Sequence, residues 1–133
     1  MSKIEGIILG VGAKKNHGFH IHAEGSLDND CAGAGGHFNP DQKTHGAPDA
    51  EVRHLGDLGN VHADLTGTVE LRIQDSMVSL FADEEHSIIG KALVIHEGED
   101  DLGLGGDEGS LATGNAGARA GCCIIKEVTH FRN

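Results

Sequence analysis

The segment "HGFHIH" at residues 17–22 sets His20 and His22 one residue apart. On a strand, residues i and i+2 point to the same face, so two imidazoles at that spacing can grip one object. The obvious object is a metal ion, because histidine is the commonest metal ligand among side chains. A second pattern, "HLGD", places Asp57 three residues after His54 and so offers an imidazole and a carboxylate from one loop. That donor pair suits a borderline ion such as zinc. The chain holds ten histidines with no consecutive run among them, which rules out a purification tag as their source. In chain order the candidate ligands are His20, His22, His37, His45, His54, Asp57 and His96. Four to six imidazoles with no thiolate also suit Cu(II), which accepts tetragonal nitrogen donors. Two adjacent sites fit this inventory, whereas a lone H-x-H is more often a solvated strand face.

The elements that must position these groups are strands. With 133 residues, the sequence fits one domain spanning 1–133. Twenty-one glycines against two prolines, with no Tyr or Trp, favour short strands and tight turns. Residues 4–11 and 17–22 read as strands joined by "AKKN" into a hairpin, and residues 58–65 and 67–75 read as a second hairpin. Residues 77–81 and 88–96 continue the β-branched pattern, and "CCIIKEV" at 122–128 closes the chain as a last strand. The long stretch 23–56 is rich in Gly, Asp, Asn, Pro and His with almost no apolar periodicity, and a second, 97–121, is equally poor in order. Loops of that length in a compact domain are functional or disordered. The first stretch holds Cys31, His37, His45 and His54, so metal ligation and a disulfide could replace the hydrophobic order it lacks. No helical stripe of useful length is visible, so the expected class is all-β, a sandwich or Greek-key barrel with two long functional loops.

The net charge of -11 argues against a nucleic-acid or anionic-membrane partner, since both require a basic surface. Three cysteines, Cys31, Cys122 and Cys123, are too few for a disulfide scaffold and form no C-x-x-C pair. One bridge with one free thiol is compatible with that count. The apolar core of the amino terminus, Ile7 to Leu9, is too short for a signal peptide or a membrane span, which leads to the expectation of a cytoplasmic protein.

The blocks "HGFHIHAEG", "CAGAGGHFNP", "THGAPDAEVRHLGDLGNV", "IIGKALVIHEGEDDLG" and "GNAGARAGC" occur in this order between residues 4 and 125. In them the chain resembles the copper/zinc superoxide dismutase family. The resemblance implies an immunoglobulin-like Greek-key β-sandwich or flattened barrel, with a metal-binding loop and an electrostatic loop. Residue by residue, it implies copper at His20, His22, His37 and His96, and zinc at His37, His45, His54 and Asp57. His37 would serve both ions, which one imidazole can do only by losing both ring protons. Asp100 falls where the family has a carboxylate linking a copper histidine to a zinc histidine, here His20 and His45. Such partners fix ring orientation and tautomer. Arg119 matches the arginine that guides a small anion beside the copper, and Cys31 and Cys122 match the family's disulfide. A bridge closing so long a loop is worth roughly 4 kcal/mol in the chain-entropy picture, and in a cytosolic protein it would be an exception.

The implied activity is disproportionation of superoxide to dioxygen and hydrogen peroxide by Cu(II)/Cu(I) cycling, with His37 as bridge and proton donor. The implied partners are a second copy, forming a homodimer, and a copper chaperone for loading. Three departures stand beside the match. The family carries further residues ahead of the matched region, forming the first hairpin of its eight-stranded barrel, and a barrel without that hairpin exposes a sheet edge. Leu104, Ala112 and Gly98 stand where the family often has basic residues, so an anionic substrate would be steered weakly by this acidic chain. "ADEEHS" is longer than the matching surface turn. The competing readings are a copper/zinc-binding or chaperone-like relative, or a truncated variant, without dismutase turnover. Cys123 has no matching role and reads as a buried or interface thiol. His17 reads as structural, and His62, His86 and His130 as solvated or structural.

Overall fold

Alternation of apolar and polar side chains makes strands of most of the segments expected to be strands. The computed structural model describes residues 1–128, so His130 lies outside the described residues. Its six strands are β1 (Ser2–Ile8), β2 (Asn16–His22), β3 (Asp57–His62), β4 (Val69–Asp75), β5 (Ala92–His96) and β6 (Arg119–Ile124). They form two antiparallel sheets, one pairing β1 with β4 and the other in the order β3-β2-β5-β6. The all-β sandwich class expected from the sequence is the class observed.

Both expected hairpins are absent as pairs. β1 pairs with β4 and β2 with β3 and β5, so residues 4–11 and 17–22 belong to different sheets, as do β3 and β4. The reason lies in the two connectors, which bond to each other rather than closing tight turns. Val11 N–H donates to Gly67 O, Lys14 N–H to Asp64 O, and Ala63 N–H to Lys15 O. Gly67 sits at φ +75°, and a Cβ there would lie 2.3 Å from the Val11 carbonyl, so this corner requires glycine. Each connector thus carries the chain from one sheet to the other. Residues 77–81 and 88–91 also differ from expectation, forming no named strand and only an isolated Ser79–Ser87 bridge of sheet type, although Val78 and Ile88 are buried.

The core lies between the sheets. Phe19 and Ile21 of β2, Leu58 and Val61 of β3, Val69 and Leu71 of β4 and Ile95 of β5 pack there with Leu55. Complete burial of such side chains stabilises by about 1.5–3 kcal/mol each, which locks β2 in register. Because side chains alternate, fixing Phe19 and Ile21 inward commits His20 and His22 to the opposite face. That face is covered by the long loop 23–56, whose short 3-10 turn at Ala32–Ala34 places Ala34 against Ala92 and Val94, with Cys122 packed beside them. A Cys31–Cys122 disulfide fastens the loop to β6.

The second loop holds the one α-helix among the described residues, α1 (Glu108–Thr113), which the absence of a helical stripe did not foretell. Six residues are too few to show periodicity, but its ends are marked. The Asp107 carboxylate accepts from Ser110 N–H, and Gly114 closes the helix at φ 78°.

Candidate metal centre

Strand register brings most of the histidines together. His20 of β2 stands opposite Asp57 of β3, and His96 of β5 opposite Arg119 of β6. His22 makes an isolated bridge to His37, drawing the long loop onto the sheet. His45 and His54 arrive from the same loop. All seven candidate ligands are buried, from fully buried His20 and Asp57 to His37 at 9% exposure.

The hydrogen bonds around the rings decide which nitrogens remain free. A carbonyl or carboxylate oxygen only accepts, so a ring nitrogen facing one must carry the proton, leaving the other with a lone pair. His22 Nδ1 donates to Gly35 O at 2.8 Å and His96 Nδ1 to Gly117 O at 2.9 Å. Their Nε2 atoms therefore carry lone pairs, and they lie 3.3 Å apart. His20 Nε2 donates to one Asp100 oxygen and His45 Nε2 to the other, each at 2.7 Å. That leaves His20 Nδ1 buried without a hydrogen-bond partner, like His37 Nε2, while His45 Nδ1 faces Asp57 Oδ1 at 2.9 Å. Orphaned buried polar atoms are costly and rare, and the two in one cluster, His20 Nδ1 and His37 Nε2, fit a cation.

Two clusters result. In the first, one ligand atom each from His20, His22, His37 and His96 lies within 4.8 Å of the others. In the second, Asp57 Oδ1 lies 2.8 Å from His37 Nδ1, 2.9 Å from His45 Nδ1 and 3.3 Å from His54 Nδ1. His37 Nδ1 and His54 Nδ1 are 3.1 Å apart. A tetrahedron with metal–ligand bonds of about 2.0 Å has edges of roughly 3.3 Å, so these spacings match a four-coordinate zinc site. His37 faces both clusters, Nδ1 to one and Nε2 to the other. Asp57's other oxygen is held by Gly46 N–H at 3.0 Å and His54 N–H at 2.8 Å.

The protonation states agree with this geometry. Burial, with smaller contributions from neighbouring positive charge, pushes His20 down to about 4 and His22 to about 3, and it also lowers His37 and His96. These rings are neutral donors at neutral pH. For Asp57, burial would raise the pKa, but hydrogen bonds from His37, His45 and His54 outweigh it and hold the carboxyl well below its usual range. Asp100, opposed by burial but hydrogen-bonded by His20 and His45, is lowered to about 2. His45, wedged between Asp57 and Asp100, is raised to about 9 despite its burial.

An opening of about 320 Å³ reaches the first cluster, lined by His22, His37, His96, Thr113, Asn115 and Arg119. Arg119 is held there by two carbonyls of the long loop, Cys31 O at 2.6 Å and Gly35 O at 2.5 Å. The disulfide and the arginine thus anchor the same loop. None of Leu104, Ala112 and Gly98 is basic, so Arg119 is the cationic side chain lining this opening.

Sequence reasoning missed several supports. Asn60 pairs reciprocally with the backbone of Asp100, at 2.9 and 2.8 Å, fixing the carboxylate between the two clusters. Gly114 closes against the same carboxylate, where a Cβ would lie 2.1 Å from Asp100 Oδ1 and 2.4 Å from His45 Nε2. Its place after a short capped helix was the available signal. Cys123 is not buried, as one half of its reading had it, but exposed on the edge strand β6, where an interface contact would also have to form. His17 is buried with its ring between His96 O at 2.7 Å and Gly12 O at 2.8 Å, as its structural reading requires. His62 and His86 lie outside both clusters, bonded to Asn16 and Asp41.

Comparison with known proteins points the same way. The family model described as "Copper/zinc superoxide dismutase (SODC)" matches residues 2–125. A "Superoxide dismutase [Cu-Zn]" of Schizosaccharomyces pombe is 52% identical over 118 residues, which cover 89% of this chain and 75% of that protein. One of the same name from Paramecium bursaria Chlorella virus 1 is 48% identical over 123 residues, 92% of this chain and 65% of that protein. An "Extracellular superoxide dismutase [Cu-Zn]" of Haemonchus contortus is 52% identical over 109 residues, 82% of this chain and 58% of its own length. The chain therefore spans less than two thirds of the latter two. With the match running through both histidine clusters, the chain belongs to the copper/zinc superoxide dismutase family.

Proposed function

We propose that this chain disproportionates superoxide, converting two superoxide anions and two protons to dioxygen and hydrogen peroxide. His20, His22, His37 and His96 would hold copper, and His37, His45, His54 and Asp57 would hold zinc. Copper supplies one-electron chemistry between Cu(II) and Cu(I), and zinc a fixed positive charge.

The chain's own groups do the rest. The guanidinium of Arg119, fixed by Cys31 O and Gly35 O, keeps donor capacity toward the opening and holds a small anion there. Asp100 locks the tautomers of His20 and His45 at once. His37 presents Nε2 toward the opening while Nδ1 stays with Asp57, so that nitrogen can hold a proton and give it to the departing peroxide. The observation that carries this reading is the gathering of buried ligand atoms in two adjacent groups, His20, His22, His37 and His96 in one and His20, His37, His45 and Asp57 in the other, with His20 Nδ1 and His37 Nε2 left unpartnered.

The reading extends to one domain over 1–133, acting as a homodimer in the cytoplasm and loaded by a copper chaperone. Exposed Ile7, Leu9 and Phe81 supply apolar surface for such contacts. Among the described residues no helix is long and apolar enough to cross a membrane. Extracellular relatives share the fold family, so cell fractionation decides the compartment.

The test is reconstitution with copper and zinc, counting metals by intact mass and measuring dioxygen and peroxide released per superoxide consumed. One copper and one zinc per chain, with dioxygen and peroxide in equal yield, are expected. Both metals bound with no turnover would make the chain a metal-binding relative instead.

A further inference from the structure

The zinc-side stretch of the long loop has an anchor of its own, apart from the sheet that carries the other ligands. Arg53 is only 2% exposed, and its guanidinium donates four hydrogen bonds. Three go to carbonyls of its own loop, Pro48 at 2.6 Å, His54 at 3.0 Å and Leu55 at 2.7 Å. The fourth goes to Asp75 Oδ2 at 2.8 Å, at the end of β4 in the two-stranded sheet. Asp75 in turn accepts from Met77 N–H at 2.8 Å and Val78 N–H at 3.1 Å through its other oxygen.

His20, His22 and His96 ride on β2 and β5, inside a hydrogen-bonded sheet. His45 and His54 ride on a loop with no ladder. The loop is curled around the guanidinium on its carbonyl side, while Asp57 grips the amides of Gly46 and His54 on the other. Loss of the guanidinium would strip the carbonyls of Pro48 and Leu55 and one oxygen of the buried Asp75 carboxylate of their donor, while His54 O would keep only Asp57 N–H. A lysine could replace the charge but not the planar fork that meets four acceptors.

We propose that Arg53, locked to Asp75, is a positioning residue for the zinc half: it holds His54 and Asp57 in ligating geometry and couples that half to the β1–β4 sheet. The inference rests on the metal reading above. Partners of this kind change metal affinity about 10–100-fold when removed.

The experiment titrates the full-length, metal-free chain with Co²⁺ alone, following the visible bands of a tetrahedral site, for the natural sequence, Arg53→Lys, Arg53→Gln and Asp75→Asn. Binding of Cu²⁺ to the other half is followed by electron paramagnetic resonance, and folding by circular dichroism. Arg53→Gln is expected to weaken cobalt binding about 10–100-fold and to broaden the tetrahedral bands. Arg53→Lys should recover part of that loss, Asp75→Asn should shift affinity in the same direction, and the copper spectrum should change little. Folded variants that bind cobalt within threefold of the natural chain, with unaltered bands, would reduce the pair to a structural ion pair and overturn the proposal. If Arg53→Gln does not fold, the Arg53→Lys and Asp75→Asn titrations decide by the same criterion. A natural chain that gives no tetrahedral cobalt spectrum would refute the zinc reading itself, a different outcome from a natural chain that binds while its variants bind equally well.

Discussion

Removing the Cys31–Cys122 bridge tests how the metal-binding loop is held. The two cysteines are 91 residues apart, so the bridge closes most of the chain into one loop. In the chain-entropy picture a loop of that size restricts the unfolded ensemble by about 4.6 kcal/mol at 25 °C. For a chain of this length that corresponds to a fall in Tm on the order of 15–20 °C. The assay is urea unfolding of the metal-free Cys31→Ser/Cys122→Ser variant beside the oxidised natural chain, with slopes compared as well as midpoints. The midpoint should fall sharply and the slope rise, since an uncrosslinked unfolded chain exposes more surface. Cys31 also supplies a carbonyl to Arg119, so the variant should lose part of any activity even at temperatures where it is folded. A stability loss below about 1 kcal/mol would refute the view that this bridge dominates the unfolded-state constraint.

Other predictions follow from the site. In the metal-free chain His20 and His22 sit near 4 and 3 against an ordinary 6.5, so the unfolded state binds more protons below pH 6.5 and stability falls as pH drops through that window. His45, raised to about 9, contributes stability that is complete below pH 6.5 and lost as pH rises through 9, so urea midpoints should peak near pH 6.5; a steady rise from pH 5 to pH 9 would contradict this. Asp100→Ala should weaken both metals about 10–100-fold, read by competition with chelators, because one carboxylate orients a ring of each cluster. Arg119→Ala should lower superoxide consumption about tenfold or more while leaving metal content unchanged, since a charge-assisted contact worth about 1.5–3 kcal/mol is removed. With a net charge of -11 and Arg119 the cationic lining of the opening, the rate should depend weakly on added salt; a steep fall would show steering by groups outside that lining.

How far the sequence could be read follows from what kind of signal each feature leaves. The ligands were legible because metal chemistry demands particular residue types at particular places, and "HGFHIH" and "HLGD" carry those types openly. The all-β class was legible in the alternation of β2 and β4. Pairing was not, because alternation states which face a residue takes but not which strand lies beside it. The assignment of β1 to β4 depends on two connectors bonding to each other, a long-range event with no local signature. Arg53, Asn60 and Gly114 were missed for a related reason. Each acts through backbone groups brought from elsewhere, and a lone arginine, asparagine or glycine in a loop has no periodicity to mark it.

The central claim is that the two histidine clusters form one working copper and zinc centre. Its most direct measurement is superoxide consumption by zinc-loaded chain as copper is added in increments. The account predicts a rate that rises linearly, breaks at one copper per chain and is absent before copper is supplied. A rate that never exceeds that of the same copper free in solution, with the metal fully bound, would contradict it.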